Sequence, residues 1–322
     1  MKKLPVSKIN DFLKACASKE KVYLPVDNKD ASKGASYQQW KDGVTLSNAL
    51  NTVRSAKDFF FPQTENLFDM KMDGKKIEII DTRKETEDFI IFGVRACDVR
   101  SFTVLDKVFL DEPVDTYYKN RREHSTIISL SCTKPAHTCF CGQLNIDAAN
   151  PEGDIRSWKT DSSFYFESVT EKGKKLLESL SSSGLLSEAG TDGEKEVESQ
   201  KKATEEAVAK LPVTFPHDDT FAEKNLNKLF ESPVWGKLSE TCLACGTCTF
   251  VCPTCQCYDI REFDTGHGVK RFRCWDSCMY SDFTKMSAGQ PRPTQLERFR
   301  QRFMHKLVYY PANNNGLLGC VG

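Results

Sequence analysis

Short apolar runs on either side of an amphipathic stretch predict a βαβ unit in the first half of the chain. Residues 88–94 (D-F-I-I-F-G-V) and residues 125–130 (S-T-I-I-S-L) have the length and apolar character of buried strands. Between them, Val99, Phe102 and Leu105 recur at helical spacing. The handedness rule for such units makes the two strands parallel, so both end at the same edge of the sheet. Ligands of α/β proteins bind at that edge.

Cysteines follow both predicted strands. Cys97 comes just after the first strand and Cys132 just after the second, and Cys139 and Cys141 follow in the next loop. Four thiols at one sheet edge predict a metal site, and a 4Fe–4S cluster is the favoured occupant. The alternative is that Cys97 and Cys132 are packed core residues and that the C-x-C pair is reactive or incidental.

The pattern changes after residue 184. Residues 185–210 are rich in charged side chains and poor in large apolar ones, which predicts a surface linker with at most one solvated helix. An apolar stripe at helical spacing resumes at Phe221, Leu226 and Leu229, before a cysteine-rich stretch over residues 241–258. We therefore place an N-terminal domain at residues 1–184, the linker at 185–212 and a second domain at 213–322.

The cysteine-rich stretch has the spacing of a bacterial ferredoxin. Cys242, Cys245, Cys248 and Cys252 are separated by two, two and three residues, and Pro253 follows the fourth. Three thiolates on a tight loop each reach one iron of the same cubane, while the fourth cysteine of such a run serves the other cluster. A zinc ribbon shows two well-separated C-x-x-C pairs instead, so the spacing favours iron–sulfur clusters over zinc.

The remaining cysteines of this half have less specific spacing. Cys320, in G-C-V-G, resembles the start of another C-x-x-C-x-x-C run. We therefore expect Cys252 and Cys320 to belong to a second ferredoxin cluster, with the missing ligands of both clusters beyond Gly322. Four cysteines have no assigned role; they are expected to hold a further metal or, as the preferred interpretation, to pack around a cluster. These are Cys255, Cys257, Cys274 and Cys278.

Together the patterns predict an α+β protein. We expect an N-terminal α/β domain with a partly parallel sheet, followed by a bacterial-ferredoxin-like dicluster domain with a long insertion. The 45 basic and 45 acidic side chains balance, which argues against a nucleic-acid partner. No apolar run approaches the length of a membrane span, and no signal peptide is recognised. The 14 cysteines at metal-ligand spacing favour a reducing, cytoplasmic location over a disulfide-bonded secreted protein.

Several sequence blocks, taken in order, resemble a known family. They are G-V-R-A-C-D-V-R, L-D-K-V-F, S-C-T-K-P-A-H-T-C-F-C-G, C-L-A-C-G-T-C-T-F-V-C-P-T-C-Q-C, R-C-W-D-S-C, R-F-R-Q-R-F-M-H-K and G-C-V-G. Together they are similar to the 4Fe–4S dicluster subunits of anaerobic sulfite reductase and to the beta subunit of cytosolic sulfhydrogenase. Related proteins serve flavin oxidoreductases coupled to heterodisulfide reductases. The resemblance covers nearly the whole chain outside residues 185–210.

This resemblance implies an electron-transfer subunit without substrate chemistry of its own. Its partners would be a flavoprotein subunit that binds FAD and NAD(P)H and a catalytic redox subunit. It also strengthens the prediction of a third 4Fe–4S cluster on Cys97, Cys132, Cys139 and Cys141. The alternative functions are a self-contained oxidoreductase whose N-terminal domain binds a flavin or deazaflavin, and a zinc-stabilised scaffold without redox activity.

Overall fold

The computed structural model describes the backbone of residues 1–322 and the side chains of all but Ala31, Lys84 and Glu85. The strands are β1 Lys2–Pro5, β2 Lys21–Asp27, β3 Ala35–Gln39, β4 Thr64–Asp73, β5 Lys76–Asp81, β6 Phe89–Val94, β7 Ser125–Leu130, β8 Ile155–Lys159, β9 Ser163–Ser168, β10 Ser187–Glu188, β11 Tyr258–Asp264 and β12 Gly268–Trp275. The α-helices are α1 Ile9–Ala17, α2 Ala96–Phe109, α3 Thr116–His124, α4 Glu171–Ser182, α5 Gly190–Ala209, α6 Leu226–Phe230, α7 Val234–Ser239, α8 Thr247–Phe250, α9 Gln295–Met304 and α10 Tyr310–Asn313. A π-helical turn, His305–Tyr309, joins α9 to α10.

The larger sheet has the strand order β10-β1-β9-β8-β7-β6-β2-β3. Its centre is parallel, because β2 pairs with β6, β6 with β7 and β7 with β8 in parallel. The flanking pairs are antiparallel, including β2 with β3 and β8 with β9. The predicted βαβ unit is therefore confirmed: β6 and β7 are parallel neighbours in a partly parallel sheet, and the connection between them contains α2 and α3.

Strand β6 is buried along its whole length because helices cover both faces of this sheet. Ile90 and Phe92 pack in one apolar cluster with Phe12 of α1 and Leu177 of α4. Phe89 and Ile91, alternating with them, pack in a second cluster with residues of α2. Strand β6 therefore carries no polar side chains, because its central position buries both of its faces.

A second, antiparallel sheet joins the two halves of the sequence. Its order is β11-β12-β4-β5, so a hairpin from the first hundred residues pairs with one from the last hundred. The contact is made by β12 against β4, with a change of register between Arg271 and Phe272. Sequence patterns do not predict this sheet, which lies beside the cysteine-rich loop and anchors it to the N-terminal half.

The segment predicted as a charged linker is built into the fold. Its first residues form β10, which pairs with β1 at the edge of the large sheet. The rest forms α5, where Val197 and Thr204 are buried among exposed charged residues. The expected helix is present, with one side in contact with the sheet domain, while the proposed boundaries at 184 and 212 remain predictions.

The predicted α+β class is confirmed, with the dicluster region following the mixed helix-and-sheet part of the chain. Among the described helices, none combines the length and the apolar character that crossing a membrane requires.

Candidate metal centres

Arg95 fixes the edge at which the two central strands end. Its guanidinium donates hydrogen bonds to the carbonyl oxygens of Ser131 at 2.8 Å and Leu50 at 3.0 Å. Arg95 follows β6 and Ser131 follows β7, so one side chain holds both strand ends together. Cys97 and Cys132 come next in the chain at each of these ends.

The structure brings the four N-terminal candidate cysteines to this edge. Cys97 lies in the first turn of α2, and Cys132 is fixed by a 3.0 Å hydrogen bond from its amide to the Ala148 carbonyl. Cys139 and Cys141 lie on the loop that ends in the short 3₁₀ helix Cys141–Leu144. Cys97 and Cys141 pack against the same small apolar cluster. The convergence that the βαβ unit predicts is therefore present.

Burial and neighbouring charges raise the pKa of three of these thiols. Burial raises the pKa of Cys97 well above its usual range, and the charges of Asp98, Cys132 and Cys141 raise it further. Burial also raises the pKa of Cys132 and Cys141, each of which is affected by the charge of Cys139. The raised pKa values of Cys97, Cys132 and Cys141 favour their protonated forms, and a metal that replaces the protons offsets the repulsion between the resulting thiolates.

The ferredoxin-type loop has the backbone geometry of a tight turn. Ala244 and Gly246 both have positive φ, at 55° and 74°. Gly246 is required for a second reason, because a β-carbon there would lie 2.4 Å from the Tyr280 hydroxyl. That hydroxyl donates a hydrogen bond of 3.2 Å to the Cys245 carbonyl, which fixes the loop between the second and third cysteines.

Polar side chains surround the sulfur atoms of this loop. The Gln295 amide donates to the Cys242 sulfur at 3.2 Å. Hydrogen bonds with the side chain and backbone of Thr247 lower the pKa of the exposed Cys245. Burial raises the pKa of Cys248, while the charge of Arg302 opposes this change. Such contacts stabilise thiolates and tune the potential of a cluster bound to them.

Three cations surround Cys252. Lys57 is almost fully buried and donates to the Cys252 carbonyl at 3.0 Å. Hydrogen bonding with Cys255 and the positive charges of Lys306 and Arg302 lower the pKa of Cys252 well below its usual range, although its burial acts in the opposite direction. Cys252 therefore lies in a strongly electropositive setting, unlike the exposed Cys245.

Cys320 connects the two groups of cysteines. Together with Val321 it lies in the apolar cluster that contains Cys97 and Cys141. Gly322 is so close to Cys141 that a β-carbon on it would come within 2.5 Å of the Cys141 amide nitrogen. The Gly319 carbonyl accepts hydrogen bonds from Thr254 at 2.7 Å and from Lys306 at 2.8 Å, which ties this segment to the loop after Cys252.

The donor set fits iron–sulfur clusters in its chemistry. Thiolates are the ligands such clusters use, and all the cysteines described by the structure are unbridged. Among the described side chains, no group of three or more His, Cys, Asp or Glu is arranged to hold a single metal ion. A cubane sets a different requirement, since each of its thiolates binds its own iron atom.

Comparison with known proteins decides the family. A family model described as a 4Fe-4S dicluster domain matches residues 241–322. The sulfhydrogenase 2 subunit beta of Pyrococcus furiosus is 31% identical over 273 residues, which is 84% of this chain and 77% of that protein. This chain belongs to the sulfhydrogenase beta-subunit family. It is thus an iron–sulfur electron-transfer subunit with a 4Fe–4S dicluster domain. No solved structure matches it significantly.

The cations that surround the clustered cysteines in this family member were not predicted from the sequence. Lys57 lies far from Cys252 in sequence, and a basic helical segment such as the one that carries Arg302 and Lys306 is typical of a solvated or partner-docking face. The sequence does indicate that Arg302 and Lys306 face the same way, because they lie four residues apart on one side of a helical segment. Nothing in the sequence placed that side against thiols.

Proposed function

We propose that this chain passes electrons between a flavoprotein subunit that binds FAD and NAD(P)H and a catalytic redox subunit. That catalytic subunit is of the sulfite reductase, hydrogenase or heterodisulfide reductase type. The observation that supports a relay most strongly is the contact of Gly322 with Cys141, together with the packing of Cys320 and Cys97 against the same apolar cluster. Clusters bound at these positions would be neighbours, as stepwise electron transfer requires.

Three cysteine groups are proposed to hold the clusters. Cys97, Cys132, Cys139 and Cys141 would bind one in the N-terminal domain. Cys242, Cys245 and Cys248 would bind the first ferredoxin-type cluster, and Cys252 and Cys320 the second. When bound, each 4Fe–4S cluster accepts and releases one electron, at a potential that hydrogen bonds and burial adjust.

The two proposed ferredoxin-type sites differ in exposure and in the charge around them. At one end, Cys245 is exposed and Leu243 beside it has 88% of its surface accessible, so this loop offers a redox partner an apolar contact close to a sulfur atom. In the interior, Lys57 and Lys306 are buried beside Cys252. Positive charge stabilises a reduced, more negative cluster, so the interior site favours the arrival of an electron.

The test uses the protein assembled with its natural partner subunits under anaerobic conditions. Cys245→Ser should remove the exposed cluster and stop electron flow from flavin to the catalytic subunit. Cys274→Ser is the matched control, because Cys274 lies on β12 beside Arg261 and Asp259. Unchanged iron content and turnover in Cys245→Ser would contradict the proposal. Flavin bound to this chain when isolated alone would support the self-contained oxidoreductase instead.

A further inference from the structure

We propose that Cys255, Cys257 and Cys278 bind a further iron–sulfur cluster next to Cys252. This site is additional to the three clusters of the proposed function, and its ligands are cysteines that the ferredoxin pattern does not use. Three thiolates are the number needed for a 3Fe–4S cluster, or for a cubane whose fourth iron takes a water ligand.

The β11–β12 hairpin brings Cys257 and Cys278 together. Cys257 comes directly before β11, and Cys278 follows three residues after β12 ends. The first residue of β11, Tyr258, pairs with the last residue of β12, Trp275. Beyond this pair, the Asp276 amide donates a 3.0 Å hydrogen bond to the Cys257 carbonyl. The two cysteines thus lie side by side at the open end of the hairpin.

Cys255 connects this pair to the ferredoxin-type loop. Its amide lies 3.4 Å from the Cys252 carbonyl, and its own carbonyl accepts a 3.1 Å hydrogen bond from Lys57. It also lies two residues before Cys257 in the chain. Cys255 therefore connects the loop that carries Cys252 to the end of the hairpin that carries Cys257 and Cys278.

The positive charge around these thiols favours the binding of an anionic group. The Arg302 guanidinium donates directly to the Cys255 sulfur at 3.1 Å. Lys57 donates to two backbone carbonyls, and Lys306 donates to the Thr254 hydroxyl and the Gly319 carbonyl, so the buried ammonium groups hydrogen-bond to neutral oxygens. Buried cations need a counter-charge, which the Cys252 thiolate supplies only in part and three further neutral thiols do not supply. Metal-bound thiolates supply it, and Lys306 acts electrostatically on Cys257 as well as on Cys255.

The backbone under the site is fixed while the thiols are not. Thr254 precedes Cys255, and Ser277 and Met279 flank Cys278; all three are buried. The Ser277 hydroxyl accepts hydrogen bonds from the Thr249 hydroxyl at 2.8 Å and from the Met279 amide at 3.1 Å. The cysteines themselves are only partly buried. Because a cysteine has a single side-chain torsion before sulfur, rotation about it separates the paired thiols to accommodate a cluster without moving the backbone.

The experiment compares iron and sulfide content in variants of the protein isolated anaerobically with its partners. Cys257→Ser and Cys278→Ser should each lose about three to four irons per chain. Both should keep the EPR signals that Cys245→Ser removes, so the failure of this site and of the ferredoxin-type clusters can be told apart. Cys274→Ser, on the same hairpin, should keep its full iron content. Unchanged iron in both Cys257→Ser and Cys278→Ser would overturn the proposal.

A measurement on the unaltered protein covers the case in which a variant fails to fold. Cys257 and Cys278 should resist alkylation by iodoacetamide until a strong iron chelator removes the cluster, while Cys274 is labelled throughout. Equal labelling of all three before and after chelation would overturn the proposal. So would a Cys257–Cys278 disulfide detected by mass spectrometry in the anaerobic protein, or zinc found at the site in place of iron.

Discussion

The Thr204 hydroxyl donates a hydrogen bond of 2.7 Å to the carbonyl oxygen of Cys132. Thr204 is buried on α5, in the segment whose composition predicts a surface linker. The same hydroxyl also lies 3.0 Å from the Gln200 carbonyl, one helical turn earlier. Helix α5 therefore holds the loop that carries one of the proposed N-terminal cluster ligands.

Thr204→Val keeps the shape of the side chain but removes this hydrogen bond. We expect the free energy of unfolding to fall by about 1 kcal/mol, because the Cys132 carbonyl loses a partner. Iron should also leave the N-terminal site more readily on exposure to a chelator. The measurements are urea unfolding and the rate of iron release. Glu206→Gln, at an exposed position of the same helix, should change neither; an equal effect in both variants would contradict this role for Thr204.

Arg273 links the two halves of the molecule through a buried ion network. It lies on β12 and pairs with Glu65 of β4 and with Asp115, and Arg121 donates to the other Glu65 oxygen at 2.8 Å. Arg273→Met removes the ion pair of Asp115 and leaves the buried Glu65 only partly compensated by Arg121, which should lower the free energy of unfolding by roughly 3–5 kcal/mol. Arg271→Met is the matched control.

Arg271 lies on the same strand, but its ion pair with Glu262 is exposed, so its loss should cost less than about 1 kcal/mol. Urea unfolding of both variants under anaerobic conditions makes the comparison. Equal stability of the two would show that the buried network does not hold the hairpins together.

Lys306→Gln removes one of the buried positive charges beside Cys252. A reduced cluster is more negative than an oxidised one, so the midpoint potential of the cluster on Cys252 and Cys320 should fall by roughly tens of millivolts. EPR-monitored redox titration measures this shift. Arg300→Gln removes the same charge from the same helical segment, but Arg300 stacks on Phe230 at 3.6 Å, and its loss should leave that potential unchanged. A potential unaffected by Lys306→Gln would contradict the placement of the second ferredoxin-type cluster.

We expect the contribution of Glu20 to the stability of the folded protein to decline as pH rises. Burial, and then the charge of Asp88, raise the pKa of Glu20 in the folded protein. The folded state therefore holds its proton up to a higher pH than the unfolded state, and this contribution to stability declines as pH rises from the unfolded to the folded pKa. Glu20→Gln should be more stable than the unaltered protein at neutral pH, with the difference disappearing below the unfolded pKa. Thermal unfolding across this pH range tests the prediction, and a constant difference would contradict it.

The sequence predicts features that depend on residues close together in the chain better than features that depend on residues far apart. The β6-α2-β7 unit and the loop from Cys242 to Cys252 are specified by local patterns, strand length and cysteine spacing, and both are present in the fold. The meeting of Cys97 with Cys132 follows because the topology of a βαβ unit is itself restricted.

Local patterns do not predict the sheet in which β11 and β12 pair with β4 and β5. The pairing of β12 with β4 joins Cys274 to Thr64, residues far apart in sequence, and both strands carry many charged side chains on exposed positions. The composition of helix α5 likewise does not reveal that it packs against the sheet domain. A few buried residues such as Thr204 are enough to dock a helix whose composition is otherwise polar. The cations around Cys252 come from separate parts of the chain and meet only through this packing.

The central claim is a relay that runs from the ferredoxin-type clusters into the N-terminal domain. Its most direct test is iron quantitation with EPR on the dithionite-reduced, anaerobically isolated protein, before and after Cys139→Ser. We predict that the unaltered protein shows signals split by magnetic interaction between neighbouring clusters. The variant should lose about four irons per chain together with part of that splitting. Unchanged iron content and an unchanged spectrum in Cys139→Ser would show that the N-terminal cysteines hold no cluster and that the relay does not extend beyond the ferredoxin-type region.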